Sequence, residues 1–172
     1  MDHQPNHPMP APLAELVEVC INAARHQLTR LGYIHPVAIF GHNDERNAFV
    51  FPLETTISEA EAATFIRQLT SHAHADFVLI ITEGWMLKAD HAPNYQDIIK
   101  CYGALEDSPE SVECVCFLLE TYSGAWGGVT EQKPLADSPG KTFGEVEMIP
   151  QKNPEGRLTG LLQSRNNGEV VH

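Results

Sequence analysis

Asp76-Phe77-Val78-Leu79-Ile80-Ile81-Thr82-Glu83-Gly84-Trp85-Met86-Leu87 decides how this chain folds. Five large apolar residues, Phe77 to Ile81, stand unbroken between an acidic residue and a Thr-Glu pair. Phe, Val and Ile are bulky or branched close to the backbone and favour a pleated surface. A run without a polar face predicts a strand covered on both sides. Gly84 closes the run early, which suits a central strand better than a buried helix. Glu83 and Trp85 lie two residues apart at the strand's exit and point to one side if the strand continues.

Outward from this stretch, the preceding chain reads as two helices and a hairpin. Leu13, Val17, Cys20, Ala24, Leu28 and Leu31 recur at spacings of three and four, the stripe of an amphipathic helix. Pro12 suits its first turn and Gly32 its C-terminal stop. Val37 to Phe40 and Ala48 to Leu53 read as strands around the turn residues Gly41 to Asn47. Ser58 and Glu61 make a capping box, opening a helix with Ala62, Phe65, Ile66, Leu69 and Ala73 inward.

Past the central stretch, residues 88–111 form a long mixed connection. Asn94 is placed to cap a short helix through Ile98, Ile99 and Tyr102 that stops at Gly103. Val112 to Tyr122 is the second strong strand. Gly124, Gly127 and Gly128 around Trp126 predict turns or bulges in the return. Gly144 to Ile149 alternates like a half-exposed strand, and Leu158 to Leu162 adds an edge strand or a helical turn.

The predicted fold is α+β: a mostly antiparallel sheet of five to six strands with two main helices on one face, in the order αββαβββ. That order resembles the profilin-like and roadblock-type architecture, an analogy of element order that carries no function. The domain is expected over 13–163, with a flexible, Pro-rich arm at 1–12 and a frayed polar tail at 164–172.

Thr82-Glu83-Gly84-Trp85-Met86 also resembles the Glu-Ala-Trp-Met signature of small uncharacterised bacterial and phage-encoded proteins. In those, an apolar strand ends in such a string, and a Pro- and Asp-containing turn leads into a Glu-bearing strand about two dozen residues on. Asp107-Ser108-Pro109-Glu110-Ser111-Val112-Glu113 stands at that place here. Gly84 replaces Ala, and Ser111 stands where Arg is expected. The resemblance spans residues 76 to 120 and implies no activity or cofactor. It implies that Glu83 and Trp85 matter to the structure.

Composition excludes several functions. The 172-residue chain carries a formal net charge of −12. That charge disfavours a nucleic-acid groove and an anionic membrane surface as partners. No apolar run reaches the ~20 residues of a membrane span. The start of the chain lacks the basic and apolar regions of a secretory signal. The four cysteines, Cys20, Cys101, Cys114 and Cys116, are too dispersed for a disulfide scaffold, so a cytoplasmic protein with reduced thiols is expected.

The candidate sites are few. His72, His74 and Asp76 match a His-x-His-x-Asp metal motif in residue type, but Phe77 follows where a further His is needed; the other reading is a helix end that favours His against the dipole. Glu83, with Asp90, His91 and His42, forms a second acid–base or metal candidate, against a reading in which Glu83 ties down loop backbone. Cys114 and Cys116 share a strand face, where two small core residues compete with half a zinc site. Trp126 reads either as a recognition tip or as a core cap. Neither a P-loop nor a nucleophile elbow is present. The favoured expectation is a binding or assembly module without catalytic machinery, meeting another copy of itself, another protein or a small ligand through Glu83, Trp85, His91 and Trp126. No cofactor is called for. The rival expectation is a metal-dependent hydrolase using His72, His74 and Asp76, or Glu83, Asp90 and His91.

Overall fold

A computed structural model of the chain describes residues 8–43, 48–53, 57–152 and 159–162. The expectations for the first seven residues of the arm, for the turn at 44–47 and for the tail at 164–172 lie outside these residues.

The elements are α1 (Ala11–Leu31), β1 (Val37–Gly41), β2 (Ala48–Pro52), α2 (Glu59–His72), β3 (Phe77–Leu87), α3 (Tyr95–Tyr102), β4 (Ser111–Thr121), β5 (Gly124–Pro134), β6 (Lys141–Phe143) and β7 (Ile149–Gln151). The protein is α+β. Its sheet runs β2-β1-β3-β4-β5-β6, with β7 also on β5, and every pairing is antiparallel. The apolar run lies in β3 at the centre of the sheet. Over Phe77–Ile81 it pairs with both β1 and β4, whereas Thr82–Leu87 pairs with β4 and not with β1.

The two long helices cover opposite faces, not one face as the element order suggested. Alternate residues of a strand point to opposite sides. Phe77, Leu79 and Ile81 join Val115, Phe117 and Leu119 under α1. Val78 and Ile80 join Ala38 and Phe40 under Ala62, Ala63 and Ile66 of α2. A strand apolar at every position requires this arrangement, because one layer of helices leaves half its side chains in water.

Local chemistry explains both helices. On α1, Leu13, Val17, Cys20, Ala24 and Leu28 are buried as their spacing predicts, together with Ile21. Leu31 falls off the stripe and is 49% exposed. Gly32, at φ 79°, ends the helix in the left-handed conformation and donates to Leu28 O. The capping box of α2 is complete: Ser58 N–H donates to Glu61 Oε2 at 2.8 Å, and Glu61 N–H to Ser58 Oγ at 3.2 Å. Its inward side is Ala62, Ala63, Ile66 and Thr70. Phe65 instead faces outward, its ring 5.1 Å from that of Phe51.

Four further expectations are corrected. The short helix expected in the 88–111 connection forms as α3 and stops at Gly103, with helical turns at Ala89–Asn94 and Leu105–Asp107 on either side, but Asn94 makes no side-chain cap. Gly127 and Gly128 do not break the return strand. They let a neighbouring segment come close: a Cβ at Gly128 would lie 2.8 Å from Val146 Cγ1 and Met148 Sδ. Trp126 therefore sits within β5, opposite Leu119 and Pro150, at 3% exposure in the α1-side core. Residues 144–148 are irregular between two short strands, and 159–162 form no regular element although Leu161 is fully buried.

Candidate functional site

On the α1 face, Glu83 and Trp85 follow Phe77, Leu79 and Ile81 in strand alternation, opposite Val115 and Glu113. Here α1 has ended and β1 no longer pairs with β3. The face opens into a cleft of about 380 Å³ lined by Gly32, Tyr33, Glu83, Gly84, Trp85, Glu106, Glu113, Gln132 and Lys141. Its size falls within the range of small-molecule sites.

Each wall is fixed by a packing interaction. Gly32 and Tyr33 bring the C-terminal end of α1, with its partial negative charge, to the cleft. Arg25 holds that helix to the sheet: its Nε donates to Phe143 O at 3.2 Å and its guanidinium lies 4.8 Å from the Phe143 ring centre. The loop before β6 presses against the last turn of α1, where a Cβ on Gly140 would fall 2.1 Å from Thr29 O. Lys141 follows that contact, and its ammonium pairs with the Glu113 carboxylate.

The floor is polar. Gln132 is 7% exposed. Its Nε2 donates to Glu83 Oε1 at 2.7 Å and to Cys114 O at 3.2 Å. Both partners are acceptors, so they orient the amide and leave its oxygen facing neither. That oxygen, Gln132 Oε1, is buried and accepts no hydrogen bond among the described residues. Glu83 is half-buried and held by a side chain, not by loop backbone as one reading expected. Trp85 stands at the rim at 40% exposure, and Tyr33 at 46%. Three carboxylates, Glu83, Glu106 and Glu113, face one ammonium, Lys141, for a formal charge of −2.

The other candidates are dispersed. His91 pairs with Glu110 at 2.8 Å, and neither it nor Asp90 lines the cleft, so the Glu83–Asp90–His91 set is not assembled there. Asp76 lies seven residues before Glu83, roughly 23 Å along an extended strand. It accepts from Asn43 N–H at 3.2 Å and lies 3.4 Å from His42 Nδ1, anchoring the end of β1. His72 closes α2, and His74 sits at φ 51° in the following turn. Among the described residues no three His, Cys, Asp or Glu side chains are grouped to hold a metal ion. Trp126 is buried and takes no part in the rim.

Cys114 and Cys116 share a face, their sulfurs 3.7 Å apart. The thiol contact with Cys116, and after it burial, push the Cys114 pKa up, and the same contact lowers that of Cys116. Cys101 is exposed and is not grouped with them among the described residues.

A second polar arrangement lies across the sheet. Glu120, 7% exposed, accepts from Gly160 N–H at 2.7 Å and Leu161 N–H at 2.8 Å. Thr70 Oγ1 donates to Leu161 O at 3.0 Å, and Arg67 Nε to Gly160 O at 2.9 Å. This clasp seats Leu161 among the α2-side core residues. Sequence reasoning missed it, although one Glu at a core-facing step after Leu118-Leu119 was a signal. It also missed Tyr33, Glu106, Glu113, Gln132 and Lys141 as cleft residues; nothing local marks them.

In comparisons with known proteins, the chain matches no family model, no curated protein and no solved structure.

Proposed function

We propose that the protein is a non-catalytic binding module whose working surface is the Glu83–Trp85 cleft. One observation carries this reading: a half-exposed indole stands at the mouth of a cleft whose floor carboxylate, Glu83, is held by the buried amide of Gln132. The carboxylate is oriented by that amide, and an exposed Trp beside it supplies apolar contact area. The same string, Thr82 to Met86, carries the resemblance to the Glu-Ala-Trp-Met proteins. The partner is another protein or a small ligand.

Amide and indole chemical shifts of labelled protein, titrated with a library of small polar fragments, test this. Hits are expected to move Trp85 Nε1–H, the Gln132 side-chain amide and the backbone of 83–85 together. Hits that move only residues elsewhere, or no hits at all, would overturn the reading.

A further inference from the structure

Resting on that reading, we propose that the cleft takes a guanidinium group, as carried by an arginine side chain or a small arginine derivative. Three features call for a cation. The lining has a formal charge of −2, the C-terminal end of α1, which carries partial negative charge, lies beside it, and the whole chain carries −12. None of these alone chooses a ligand. The choice comes from Gln132, a lining residue whose carboxamide oxygen is buried and has no donor among the described residues. Both hydrogens of that amide already serve Glu83 and Cys114, so rotating the group would set its oxygen against two acceptors. The oxygen is satisfied by an incoming N–H, reached after a small opening of the cleft floor. A bound cation must therefore also be a hydrogen-bond donor.

Geometry narrows the class further. The carboxylates are spread around the walls and are not grouped for a metal ion, which favours an extended cation over a compact one. Trp85 and Tyr33 offer exposed rings at the rim, and a planar cation stacks on such rings better than an ammonium does. A guanidinium presents five N–H donors in a fixed fork. One edge meets Glu83 and Gln132 Oε1, while another is left for Glu106. Lys141 does not oppose this, because Glu113 already neutralises its ammonium.

The test uses the full chain and blocked tripeptides with a central arginine, citrulline or lysine, with methylguanidinium and tetramethylammonium as competitors. The arginine peptide is expected to shift the Trp85 indole and Gln132 amide signals and to bind about tenfold more tightly than the citrulline peptide, which has the same shape without the charge. Methylguanidinium should displace it, and tetramethylammonium, which has no N–H, should not. Glu106→Gln, at an exposed position, should weaken binding roughly threefold, and Glu83→Gln by about tenfold, with the fold unchanged by circular dichroism. Equal affinity for the citrulline or lysine peptide, or displacement by tetramethylammonium, would overturn the assignment. Should neutral fragments bind the cleft while the arginine peptide does not, the ligand class fails and the binding-module reading stands. When neither binds there, both fail.

Discussion

Glu83 and Glu120 are both glutamates on central strands, yet they do different work. Glu120 faces the α2 side and accepts from two backbone N–H groups of a chain segment forty residues away. Its neighbours are core, and it is closed from water. Glu83 faces the α1 side beyond the end of the helix and accepts from one side-chain amide in an open cleft. A carboxylate satisfied by backbone is bound to the fold. A carboxylate satisfied by a side chain, with an unpartnered acceptor beside it, has been oriented and left accessible. The contrast separates a clasp from the proposed site.

The two tryptophans sharpen the contrast most. Trp126→Ala should cost about 3–5 kcal/mol in urea unfolding, the loss of a large side chain from a closed core. Trp85→Ala should cost about 1 kcal/mol or less, because the ring is already partly in water. Comparable losses for the two would erase the distinction between core and rim.

Next in size is Glu120→Ala, expected to destabilise by about 3 kcal/mol, since it strands the Leu161 and Gly160 N–H groups. Faster proteolysis near residue 160 should accompany it. A loss below about 0.5 kcal/mol would show that the clasp holds nothing. Glu83→Gln is the counterpart and should change stability by less than about 1 kcal/mol, because the new amide oxygen still accepts from Gln132 Nε2. A larger loss would move Glu83 to the structural side of the comparison.

The smallest effect comes from an exposed carboxylate. Hydrogen bonds from Ser58, the backbone one first, hold the Glu61 carboxyl below its ordinary value of 4.5. A depressed folded-state pKa contributes stability above the unfolded value and loses it as pH falls through the folded one. The stability difference between the native chain and Glu61→Gln should therefore narrow as pH is lowered from about 6 to below 4.5. A gap that widens on acidification would contradict the capping geometry.

Much of the fold was legible locally. The stripe from Leu13 to Leu28, the Ser58–Glu61 box and the runs at Phe77 and Val112 each express a period or a cap within a few residues. The Trp126 region was misread because its glycines look like turn signals; they are gaps filled by Val146, Met148 and Gln151, side chains some twenty residues away. The site was half legible. Glu83 and Trp85 stand out at the end of an apolar run, but their surroundings come from Tyr33, Glu113, Gln132 and Lys141, which no local pattern joins.

What the sequence determined alone was the helices and the strands up to β4, and the demand, written in Phe77 to Ile81, for cover on both faces of the central strand. Which helix covers which face, where that cover stops and which polar groups meet at the gap were decided only by the tertiary structure. Periodicity and capping act over one or two helical turns, and the chain carries them wherever it goes. A cleft exists only where α1 and β1 run out beside β3, and its charge and its unpartnered acceptor are properties of that meeting.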